Sequence, residues 1–156
     1  MASSLPIVRQ IAWLSLLPQL AFLLMVIGAL KIAGIENAST IGAFLYLAAS
    51  FVMRFFVARE HRQGIVLLKN ENFSGAIPLF EKSYTFFSKH SWIDRWRFLI
   101  MLSSSRISYR EIALLNIAFC QAQLGNKQDA MLTYDRVQIE FPGSKMAEVS
   151  IRMLQP

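Results

Sequence analysis

Two long apolar runs in the first 58 residues constrain this chain more than any other feature. Residues 11–30 read IAWLSLLPQLAFLLMVIGAL, interrupted only by Ser15, Pro18 and Gln19. At a rise of about 1.5 Å per residue, about 20 helical residues cross a hydrocarbon core of roughly 30 Å. The run predicts a transmembrane helix over about residues 11–32. Pro18 lacks an amide hydrogen and should kink that helix near its start. A signal peptide fits less well. Its apolar region is usually about 7–15 residues long, and Lys31 stands where a small-residue cleavage site should form.

A short polar connection, residues 34–40, leads into a second run, IGAFLYLAASFVMRFFVA, from Ile41 to Ala58. This predicts a second transmembrane helix over 41–58, with a re-entrant or interfacial segment as the alternative. Arg54 lies four residues from its end, close enough for the side chain to reach the headgroups. Positive charge then sets the orientation. Arg9 precedes the first run, and Arg54, Arg59, Arg62 and Lys69 lie at and beyond the end of the second. The connection carries Lys31 at its edge and Glu36 within. Both termini are therefore expected in the cytoplasm and the connection on the far side. The expected location is a bacterial inner membrane, with an organelle membrane left open.

Composition agrees with this reading. Charged residues make up 17% of the chain and hydrophobic residues 54%, against about 25% charged in ordinary soluble domains. The net charge of +6 is accounted for by cations beside the membrane, and no nucleic-acid motif accompanies it, so nucleic acid is not an expected partner. The single cysteine, Cys120, allows no intramolecular disulfide and lies in an apolar helical stretch, where a packing role is expected.

From residue 59 onward the pattern is helical throughout. REHRQGIVLLKN (59–70) follows the second run without a helix breaker. A turn at Asn70-Glu71-Asn72 then leads to a second amphipathic helix, Phe73–Phe87. Asn72 or Ser74 can cap its start, and Pro78 lies near enough to that start to be tolerated. A second hairpin runs from Ser108 to Pro142. Its first helix opens with the capping-box pattern Ser108-x-x-Glu111 and stops at Leu124-Gly125-Asn126. Its second carries Ala130, Tyr134 and Val137 and ends at Phe141-Pro142. Small residues stand twelve apart in both hairpins, Gly64 with Ala76 and Ala118 with Ala130, as close helix contacts require. Ser144 can cap a last helix over 145–154.

Each hairpin resembles a tetratricopeptide repeat, the helix–turn–helix unit of about 34 residues with the pattern W-x2-L-G-x2-Y…A-x3-F…P. Gly64, Ala76 and Phe80 match in the first. Ala130, Tyr134 and Pro142 match in the second, with Ala118 at the glycine position. The first lacks the Trp and Pro, holding Glu60 and Ser88 there, and Leu67 replaces its Tyr. The second has Leu114 and Ile117 at the Trp and Leu positions and Gln121 at the Tyr position. The fold expected is all-α: a transmembrane hairpin over 1–58, then a cytoplasmic repeat domain over 59–156. That domain holds repeats at about 57–90 and 111–144, an insert at 89–108 and a capping helix at 145–154. Two repeats fall short of the usual minimum of about three, so the insert, the cap, the membrane helix or a partner must cover the remaining faces.

The resemblance implies a partner-binding groove on the first helix of each repeat. Carried over by position, its residues are His61, Ile65, Leu68, Ile112, Leu115, Asn116 and Phe119. Asn116 matches one asparagine of the subclass that clamps a partner's C-terminal carboxylate. His61 and Ile65 replace the Lys and Asn that clamp needs, so an apolar helix or extended segment is the expected ligand.

The insert, KHSWIDRWRFLIMLSSSRIS, admits two readings. It extends the preceding helix and packs its aromatic residues into the repeat core, which the width of its apolar surface favours. Otherwise Trp92, Arg95, Trp96 and Arg97 form a patch for the membrane surface or a partner.

Neither histidine, His61 or His90, fits a metal-ligand motif, and no nucleophile or phosphate-binding motif is present, so neither an enzyme nor a cofactor is expected. The expected function is that of a membrane-anchored adaptor or scaffold that recruits a protein partner at the cytoplasmic surface, with homo-oligomers allowed. The alternatives are an accessory subunit of a larger membrane complex and a module that contacts lipid.

Overall fold

The computed structural model describes residues 16–101, 103 and 105–155. These residues are helical, with no β-strand among them. The helices are α1 (Leu16–Ile32), α2 (Ala38–Val57), α3 (Arg59–Lys69), α4 (Phe73–Lys89), α5 (Ser91–Arg95), α6 (Arg97–Ile100), α7 (Tyr109–Gln123), α8 (Lys127–Glu140) and α9 (Lys145–Leu154). The start of the first apolar run, residues 11–15, and Arg9 lie outside the described residues.

Two compact units form. The first takes the chain through Met53 together with Trp96–Ile107, and the second takes Arg54–Arg95 and Ser108 onward. The second half of the insert, expected as part of the repeat domain, therefore belongs with the apolar helices, and α6 packs on α1.

In the first unit α1 and α2 run antiparallel. The Phe22 and Tyr46 rings lie 6.2 Å apart, and Gly42 sits against Ile27 so closely that a Cβ there would stand 2.8 Å from Ile27 Cγ1. The connection closes on Gly34, whose φ of +74° suits glycine, with Ile35 N donating to Leu30 O at 3.1 Å. None of the described α1 residues is buried. Leu17, Leu24 and Met25 on α1, and Phe44, Leu47 and Phe51 on α2, are all more than half exposed. One helix, Ala38–Val57, is long and apolar enough to cross a membrane; α1 is apolar but shorter over its described residues.

In the second unit consecutive helices pack in the order α3, α4, α7, α8, α9. Helix α3 does not simply continue α2. Ala58 leaves helical geometry (φ −101°, ψ 23°), and helical hydrogen bonding resumes at once, with Arg62 N donating to Ala58 O at 3.0 Å. Arg62 also turns back on the last turn of α2, donating from Nη2 to Phe55 O at 3.2 Å while its guanidinium lies 4.4 Å from the Phe55 ring.

Capping follows the sequence in part. Asn72 Oδ1 accepts from Gly75 N at 3.0 Å and opens α4, and Ser108 Oγ accepts from Glu111 N at 3.1 Å and opens α7. Ser144 opens α9, but its hydroxyl makes no capping bond. Helix α7 ends at Gly125 (φ +83°), with Asn126 N bonded back to Gln121 O at 3.0 Å.

The small residues sit where helices meet. Gly64 faces Phe80, and a Cβ on Gly64 would stand 2.8 Å from Phe80 Cε1. Ala76, Ala118 and Ala130 are fully buried, among Phe80, Phe87, Leu114, Cys120 and Val137. Burial pushes the Cys120 thiol up to about 11, so it stays protonated at neutral pH.

Candidate functional site

The direction of the helices follows from a few ring contacts. The end of α4 meets the start of α7 through Phe87 and Tyr109, stacked at 4.7 Å, and the start of α4 meets the end of α7 through Phe73 and Phe119, at 6.2 Å. Helices α4 and α7 are therefore antiparallel. Since α3 also runs against α4, the first helices of the two hairpins are parallel, and they touch where the His61 ring meets the Tyr109 ring at 5.3 Å.

That arrangement brings the seven residues expected in the groove onto two neighbouring helices but does not expose them equally. His61, Leu68 and Leu115 are buried, and Ile65, Ile112, Asn116 and Phe119 are half-buried. The first three belong to the core. Only the last four keep part of their surface open, three of them apolar and one an amide. The Nδ2 of Asn116 is buried and has no hydrogen-bond partner. A buried amide donor left unpaired is costly.

His61 sits in an uncharged box. Its Nδ1 lies 3.3 Å from Ser83 Oγ, and its ring packs edge-on against Phe80 at 5.4 Å as well as against Tyr109. Burial lowers its pKa to about 4, so the imidazole is neutral at physiological pH.

The insert departs from the expectation that its tryptophans fill the core. Helix α4 stops at Lys89, and two short helices follow instead of one extension. Ile93, Asp94 and Met101 are buried, whereas Trp92 and Trp96 are 58% and 55% exposed. The reason lies in Asp94. Its carboxylate accepts from Tyr109 N at 2.9 Å and from Arg110 N at 3.2 Å, capping α7 from fifteen residues upstream. A carboxylate is well placed against the positive end of a helix, and holding it there turns Trp92 and Arg95 outward. Arg97, expected in the surface patch, is half-buried and binds its own loop, donating to Ser105 O at 3.3 Å and Arg106 O at 3.0 Å.

A polar cluster that the sequence pattern did not mark ties α4, α7 and α8 together. Glu140 accepts from Tyr84 Oη at 2.8 Å, Arg136 Nε at 2.8 Å and Arg110 Nη2 at 2.9 Å, and Arg136 Nη2 also donates to Tyr84 Oη at 2.8 Å. Burial raises the Glu140 carboxyl, but the Tyr84 hydroxyl and the two guanidiniums outweigh it and hold its pKa below the ordinary value. Of these contacts only the Arg136–Glu140 spacing of four was available from sequence. The partners on other helices carry no local signal.

Among the described residues no group of three His, Cys, Asp or Glu side chains is placed to hold a metal ion. No protein-family model, curated protein or solved structure matches the chain.

Proposed function

We propose that the protein is a membrane-anchored adaptor. Helices α1 and α2 insert into the bilayer as a hairpin, and the unit built from α3, α4, α7, α8 and α9 acts as a tetratricopeptide-like module that binds a protein segment at the cytoplasmic surface. The observation that carries the reading is the pairing in one chain of two different surfaces. One is a hairpin whose apolar side chains are left outside any core. The other is a stack of helical hairpins with parallel first helices and a half-exposed strip of Ile65, Ile112, Asn116 and Phe119. The first suits lipid. The second suits an amphipathic helix or an extended segment.

Affinity purification from detergent-solubilised membranes tests this. Ile112→Asp and Phe119→Asp, at half-exposed positions, should leave the helical signal intact and remove the bound protein. Retention of the same partners by both variants would contradict it. The exposed Phe44, Leu47 and Phe51 of α2 favour a second reading, in which the hairpin itself docks into a larger membrane complex. There, Phe44→Leu, Leu47→Ala and Phe51→Leu, which preserve insertion, would release the partner, and the α7 variants would not.

A further inference from the structure

One end of the second unit collects cations and aromatic rings and hides its acid. The chain enters this unit through the last turn of α2, where Phe55 and Phe56 are 44% and 69% exposed. Arg59 and Arg62, both exposed, follow within two turns. Helix α4 runs against α3 in a register set by Gly64 on Phe80 and His61 on Ser83. The end of α4, exposed Lys89, therefore lies beside the start of α3, and α5 continues from it with exposed Trp92 and Arg95. Three carboxylates belong to this end: Glu60, Asp94 and Glu111, the last in the first turn of α7. Asp94 is 4% exposed and is taken up by the amides of Tyr109 and Arg110. Four exposed cations thus stand against the half-buried Glu60 and Glu111, among rings that face outward.

We infer that this end of the unit is a docking surface for anionic phospholipid, with Arg59, Arg62, Lys89 and Arg95 meeting headgroups while Phe56 and Trp92 enter the interface. The inference rests on the reading that α2 spans the bilayer, because the surface begins where that helix ends. Aromatic side chains favour the headgroup region, and guanidinium and ammonium groups beside it attract negative lipid. An acidic protein segment would meet the cations equally well, but it would not account for exposed rings placed at the end of an apolar helix.

The test uses the full chain in vesicles of phosphatidylcholine mixed with phosphatidylglycerol, in a Trp13→Phe, Trp96→Phe background that leaves Trp92 as the sole indole. Either lipid is supplied with brominated acyl chains, and quenching of Trp92 reports which lipid gathers there. Brominated phosphatidylglycerol should quench several-fold more strongly than brominated phosphatidylcholine at equal mole fraction. Arg59→Gln, Lys89→Gln and Arg95→Gln should each reduce that preference, by about fivefold at most for each charge removed. All three positions are exposed, so circular dichroism should show unchanged helicity. Equal quenching by the two lipids, or a preference that survives the triple substitution, overturns the inference. Extraction of the same vesicles at alkaline pH separates this failure from that of the anchor reading. A protein that stays in the membrane while Trp92 ignores headgroup charge fails only here, whereas a protein released into the supernatant fails as an anchored one.

Discussion

Gly64 is the residue on which the first hairpin of the second unit turns. A Cβ there would meet Phe80 at 2.8–3.0 Å on three ring atoms, and Phe80 is fully buried, so the ring has no room to withdraw. Gly64→Ala should therefore destabilise the unit despite its better helix propensity, by about 1–3 kcal/mol in denaturant titrations. His61, three residues earlier, makes a separate prediction about pH. The unfolded imidazole titrates near 6.5 and the folded one near 4, so between these values the unfolded chain binds more protons. Stability should hold above pH 6.5 and fall as pH drops to 4, by about 3 kcal/mol in all. His61→Leu should flatten that slope, whatever it does to stability at pH 7. Glu140 adds its own loss at lower pH: its folded pKa is depressed, so its contribution is present above the ordinary carboxyl value and disappears as pH falls through the folded one. A persisting slope between pH 4 and 6.5 in the His61 variant would show that another group carries it.

At the scale of elements, ends and joints decide the outcome. Asp94 caps α7 from a different helix, so Asp94→Asn should lower stability by about 1–2 kcal/mol, measured by thermal unfolding, through weaker acceptance from Tyr109 N and Arg110 N. Glu71 stands in the left-handed region (φ +58°) at the turn between α3 and α4, where Glu71→Gly should raise stability by up to about 1 kcal/mol. Local pattern made α3, α4, α7, α8 and α9 legible in the sequence, because their apolar period, caps and turn residues all lie within a few positions of one another. The joint between α2 and α3 carries no local signal. No residue near Ala58 is a helix breaker, yet the helix is interrupted there, and the return contact of Arg62 to Phe55 stabilises the break. The insert departs from its pattern for a related reason. Its apolar and aromatic content suggested a buried extension of α4, but the anchor is a single acidic residue serving a helix fifteen positions away. Of the groove, the helices were legible and the depth was not. Positional analogy placed His61, Leu68 and Leu115 beside Ile65 and Phe119, and the packing of α4 against both first helices decided which would be covered.

For the whole molecule, the proposed function sets two environments against one chain: lipid for α1 and α2, and a protein ligand for the first helices of the second unit. On that proposal a chain with 17% charged residues can still build a unit with ordinary capping, ion pairs and a buried core. They also separate the consequences of substitution. Changes at Ile112 or Phe119 should affect binding with little cost in folding, whereas Leu115→Asp should unfold the second unit and lose both. The most direct test is photo-crosslinking from a reactive residue placed at position 112, in native membranes washed at alkaline pH. The account predicts a discrete adduct to another protein in the washed membrane fraction, abolished by Phe119→Asp. Absence of any adduct from position 112, or recovery of the chain in the wash, would contradict it.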